Sequence, residues 1–160
     1  MKSKTTLALA TLALILMVGI PTVQAQSEFA KPGDLVLRVE VDFSTFDLTA
    51  SPGGGGAFYV GGEIFNRGES SADGDEAIGR FDCWGWQVDA VLGPVFVLQE
   101  WNLFGVGKLQ VQGAEDEGPR AVTGGTGKFD NARGEATGFD FSNLGVDASF
   151  VGRFKLKGSR

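Results

Sequence analysis

The chain has 160 residues, with 14 basic and 20 acidic side chains, a single cysteine and no histidine. That length allows one domain, and the acidic balance argues against nucleic acid and anionic membranes as partners, since both need a basic surface. Without histidine there is no Ser-His-Asp or Cys-His catalysis and no usual zinc ligand set, and a single thiol cannot form an internal disulfide.

Residues 1–25 read as a secretory signal peptide. Lys2 and Lys4 make a basic start, Pro21 closes the apolar run Thr5 to Ile20, and Val23-Gln24-Ala25 offers small residues for cleavage after Ala25. The run is about 16 residues, short of the roughly 20 that span a bilayer. The expected mature protein, residues 26–160, is a single secreted, soluble domain without membrane association. Losing Lys2 and Lys4 takes its net charge from −6 to −8, a balance that suits solubility.

The 25 glycines mark many tight turns. Leu35 to Phe46 alternates, with Leu35, Leu37, Val39, Val41 and Phe43 on one face and Arg38, Glu40, Asp42 and Ser44 on the other, which is strand periodicity. Further strands are predicted at Ala57 to Phe65, Ile78 to Val91, Val95 to Phe104, Gly107 to Gln112, from Ala121, Gly134 to Phe141, and Ala148 to Leu156. Asn66 to Glu76 and Gly113 to Arg120 read as acidic loops. Strands at this spacing mean an all-β sandwich or barrel. Eight antiparallel strands can close into a β-barrel that holds one small ligand.

The stretch Gly124-Gly125-Thr126-Gly127, Phe129, Ala132-Arg133-Gly134 matches the pattern GGTGxFxxARG at every fixed position. It resembles the dirigent proteins and, less fully, the allene oxide cyclases. Gly107 to Gly113 is similar to the cyclase run GxLxVQG, and Phe154 to Gly158 to the ending FYLKG. The resemblance implies an eight-stranded antiparallel barrel with an apolar lumen, an apolar small-molecule ligand, no cofactor and no metal. It also implies a dimer or trimer that buries the outer face. Independently of family, Gly124 and Gly125 allow positive φ or close approach, Phe129 is suited to plug the barrel end, and Gly134 to restart a strand at a bend. The spacing is not that of a phosphate-binding loop.

Candidate site residues follow. By resemblance, Glu40 and Asp42 fall on the carboxylate and amide that the cyclases point into the lumen. A buried Glu40 would have a raised pKa and serve as acid, base or stabiliser of positive charge. The alternation by itself also allows the polar face to be the solvated one, and which face points inward stays open. Phe81, Cys83, Trp84 and Trp86 are candidates to line the lumen, the tryptophans as stacking surfaces; packing is the plainer role for the rings, and a buried, inert state for the thiol. Arg133 is either a lumen cation or a surface residue. Two cyclase positions are not matched: Gly62 stands where an asparagine is expected, and Phe81 where a cysteine is. The expectation is a secreted barrel that binds an apolar small molecule and steers its cyclisation or coupling as a cofactor-independent isomerase. A non-catalytic lipocalin-like or structural barrel is the alternative.

Overall fold

The computed structural model describes residues 34–50, 55–87, 95–115, 118–139 and 148–157. The expected signal peptide and its cleavage point lie outside the described residues. The chain divides into two units, residues 1–30 and 31–160, and the second contains the barrel.

Eight strands make it up: β1 (Asp34–Ala50), β2 (Gly56–Asn66), β3 (Gly79–Gln87), β4 (Val95–Leu103), β5 (Gly107–Ala114), β6 (Arg120–Gly125), β7 (Arg133–Thr137) and β8 (Ser149–Lys157). Each pairs antiparallel with the next and β8 pairs back onto β1, so the sheet closes into a barrel. This is the fold class the alternation predicts. β1 runs past its expected end at Phe46, because Phe43 to Phe46 form a wide bulge opposite Val60 and pairing resumes at Asp47 opposite Tyr59. Residues 88–91, expected to extend β3, lie outside the described residues, as do residues 140–141 of the expected seventh strand.

Period-two alternation sets which side chains fill the barrel. Leu37 and Val39 of β1, Ile64 of β2, Phe81 and Cys83 of β3, and Val97, Gln99, Trp101 and Leu103 of β4 are all buried. Trp101 is the centre. Its indole meets Phe81 at 5.0 Å and Phe154 at 4.9 Å, both edge-on, with Phe150 at 5.9 Å. Edge-to-face pairs add about 0.5–1.5 kcal/mol each beyond their buried area. Gly152 makes room for this ring: a Cβ there would lie 2.6 Å from Trp101 Cη2.

The glycine motif closes the opposite end from the candidate site. Phe129 is 5% exposed and ends a 3-10 turn, Gly127–Phe129, that follows β6. Its amide donates to Thr126 O, and its carbonyl accepts from the Ala132 amide. Gly125 lies against the carbonyls of Phe129 and Lys108, where no side chain fits, and Gly134 has φ 148 beside the Lys155 carbonyl. Gly124, by contrast, has its nearest neighbour at 3.5 Å, an ordinary contact, so the turn does not depend on it.

Candidate functional site

β1/β2, β3/β4, β5/β6 and β7/β8 end together at one mouth of the barrel. There the inward-facing residues change character. Val41, Phe58, Val60, Val95 and Glu115 are half-buried, whereas the residues below them are sealed. The aromatic cluster around Trp101 therefore forms a sealed floor beneath these half-buried residues.

A polar strip climbs from that floor. Trp101 Nε1 donates to Gln99 Oε1 at 3.5 Å, and Gln99 Nε2 approaches Cys83 Sγ at 4.0 Å. Both contacts are long for hydrogen bonds, so this fully buried amide is held loosely. Above it Arg120 is 1% exposed. Its Nε donates to Ala114 O at 3.0 Å, and its guanidinium lies 4.1 Å over the Phe139 ring. Gly113 permits this course, since its missing Cβ would stand 3.0 Å from Arg120 Cγ.

Glu115 completes the strip. It is in phase with Leu109, Val111 and Gly113 of β5, and its amide donates to Val95 O at 2.7 Å. Burial pushes its carboxyl pKa above the ordinary value, and the Arg120 charge opposes that shift. Cys83 is pushed up to about 12, first by burial and then by the Glu115 charge, so the thiol stays protonated and unreactive at neutral pH. The mouth end thus places a half-buried carboxyl with a raised pKa near the Arg120 guanidinium, above an apolar floor. Among the described residues no cluster of three or more His, Cys, Asp or Glu side chains could hold a metal.

The sequence candidates divide. Phe81 and Cys83 face the lumen. Glu40 and Asp42 face outward, on the polar face of β1. Glu40 accepts from Arg38 Nε at 3.4 Å and from the amide and hydroxyl of Ser71, so it fastens the loop after β2. Asp42 is exposed, and hydrogen bonds from the Ser44 hydroxyl and amide lower its pKa, the reverse of the shift expected in a lumen. Both line an open groove of about 600 Å3 on the outer wall, with Thr45, Glu63, Arg80 and Phe104. Beside it, Tyr59 donates to Asp82 at 2.6 Å and receives Arg80 Nη2 at 3.1 Å; the Asp82 bond is the main cause of a raised Tyr59 pKa. Trp84 and Trp86 also point outward and are exposed, and so does Arg133, whose Nη1 donates to Ala132 O at 2.7 Å. These five residues do not line the lumen: each is one position out of phase with the buried residues of its strand.

Gln99, Glu115, Arg120 and Phe139 were not singled out by sequence. Continuing the β5 alternation from Val111 would have brought Glu115 inward, and the same step back from Val122 would have brought Arg120. The acidic, glycine-bearing composition of 113–120 masks that alternation at both strand ends.

No family model matches the chain, and no curated protein matches it. Eighteen solved chains match it in structure. One of them, pyocyanin demethylase, superposes with a TM-score of 0.58 at 16% identity, over 78% of this chain and 99% of that one. At that identity the likeness concerns the fold, and this chain is similar to the demethylase as a small antiparallel β-barrel.

Proposed function

We propose that this protein is a secreted barrel that takes a small, largely apolar molecule into its mouth and moves a proton on it without a cofactor, as an isomerase or cyclase does. The observation that carries the reading is Glu115, half-buried with a raised pKa, next to the inward Arg120 above an aromatic floor. A carboxyl whose pKa burial raises is a better proton donor and acceptor than a solvated one, and a guanidinium held in place stabilises negative charge as it develops. The floor and Phe139 supply apolar contact and orientation. The fold alone licenses no activity, but the name of a structural neighbour, pyocyanin demethylase, is that of an enzyme that acts on a small molecule. The motif from Gly124 to Gly134 supports kinship with the dirigent and allene oxide cyclase group. The run Thr5 to Ala25 supports secretion. Because Glu40 faces outward, the proton-transfer role belongs to Glu115. The filled floor favours a second reading, shallow binding without turnover.

The test uses 2-naphthol, an apolar phenol whose absorption reports its own ionisation. We expect saturable binding, blocked by Val60→Trp, which fills the mouth. We further expect the bound phenol's ionisation to change in Glu115→Gln and to stay as in the wild type in Glu40→Gln. Saturable binding with no difference between the two glutamate variants leaves the second reading. Binding indifferent to Val60→Trp removes both.

A further inference from the structure

Leu48 of β1, Phe58 of β2, Gly85 of β3, Val97 of β4 and Gly113 of β5 stand opposite one another in register, as one row on the lumen face. Two of the five carry no side chain, and a neighbour lies down in each gap. A Cβ at Gly85 would fall on the Phe58 ring, and one at Gly113 would press on the Arg120 stem. Phe58 is thereby laid against β3. Phe46 stacks beside it, with ring centroids 6.1 Å apart and planes 29° from parallel. Alternation back from Leu48 carries Phe46 to the same face as Phe58. Yet Phe46 is 48% exposed and Leu48 59%, so this part of the inner wall meets solvent. It is a wall without a polar side-chain atom. β1 and β2 lie four strands from β5 and β6 in the closed ring of eight. The wall therefore stands across the barrel from the strand that carries Arg120 and the strand that leads to Glu115.

We infer that the pair Phe46 and Phe58, with Gly85 as the seat of Phe58, determines specificity at the candidate site by selecting a flat ring system over a puckered or chain-like body of the same bulk. The inference rests on the function proposed above. A ring laid on a glycine is held before the ligand arrives, so little ordering cost is left to meet on binding. Aromatic faces gain from a flat partner beyond the area they bury. A puckered ring forgoes that gain, and an alkyl chain must also give up its own rotamer freedom. Leu48 extends the wall with apolar area alone. Glu115, across the ring, fixes where the polar end goes. The ligand class is a flat apolar body with its ionisable group at one edge. Trp84 and Trp86 are exposed on the other face of β3 and take no part.

The probes are 2-naphthol and decahydro-2-naphthol, the saturated alcohol on the same skeleton, compared by competition. We expect 2-naphthol to bind roughly fivefold tighter or more, the worth of two aromatic contacts. Phe46→Leu and Phe58→Leu, which keep bulk and remove the ring, should each weaken 2-naphthol roughly two- to tenfold and leave decahydro-2-naphthol within a factor of about two. Gly85→Ala, which unseats Phe58, should behave like Phe58→Leu. Trp84→Phe should leave both affinities unchanged. Equal affinity for the flat and the puckered alcohol overturns the inference. So does a Phe46→Leu protein, folded by circular dichroism, that binds 2-naphthol as the wild type does; because Phe46 is half exposed, this variant keeps the test open should Phe58→Leu or Gly85→Ala fail to fold. Absence of saturable binding overturns the inference together with the function. A flat-ring preference lost in Phe46→Leu, with no ionisation change in Glu115→Gln, supports the inference and removes proton transfer alone.

Discussion

Gly152→Ala tests how tightly the aromatic floor is packed. Gly152 is buried on β8, and an added methyl would lie 2.6 Å from Trp101 Cη2 and 3.2 Å from Phe154 Cε2. Neither ring can retreat easily. Trp101 is wholly buried between Phe81, Phe150 and Phe154. Overpacking of this kind costs about 1–3 kcal/mol. Restricting the unfolded chain returns about 0.4–1 kcal/mol, which leaves a net loss of about 1–2 kcal/mol. For a domain of this size that lowers Tm by roughly 3–8 °C, measured by thermal denaturation followed by circular dichroism. Gly124→Ala, with its nearest neighbour at 3.5 Å, should stay within about 0.5 kcal/mol of the wild type. Trp101→Phe should cost less in the Gly152→Ala background than alone, because the smaller ring yields the space the methyl needs. Wild-type stability in Gly152→Ala, or additive effects of the two changes, would refute this packing argument.

Two further predictions concern the mouth. Cys83, sealed and with its pKa pushed up to about 12, should resist Ellman's reagent at pH 8 in the folded protein and react at once in denaturant; rapid labelling of the native state would contradict its burial. Glu115 has a folded-state pKa above its unfolded one, so its contribution to stability is fully present below the unfolded pKa and is lost as pH rises through the folded pKa. Glu115→Gln should therefore unfold at higher urea than the wild type at pH 8, with the gain shrinking as pH falls through the raised folded-state pKa and gone below the ordinary carboxylate value. A gain independent of pH would show that the side chain, not its charge, is responsible.

Much of the barrel was legible in the sequence because alternation is local. Leu37 and Val39 separate from Arg38 and Glu40 by strand periodicity alone, and the turn at Phe129 follows from glycines that sterics demand. The resemblance pulled Glu40 and Asp42 toward the lumen, but the plain reading of the polar face as solvated is the one the structure shows. Register, which pairs Glu40 with Glu63 on the outer wall and leaves Val39 opposite Ile64 inside, decides it.

The sequence by itself determined that residues 34–157 are strand-forming, and that neither an internal disulfide nor histidine chemistry is available to these 160 residues. Only the tertiary structure decided where chemistry can sit. Trp84 and Trp86 turned to the outer wall, and Glu115, Arg120, Gln99 and Cys83 became neighbours, although they come from four strands or strand ends distant in sequence. The physical reason is that alternation fixes two faces for each strand, while closing the barrel fixes which face is dry and which residues meet across the lumen.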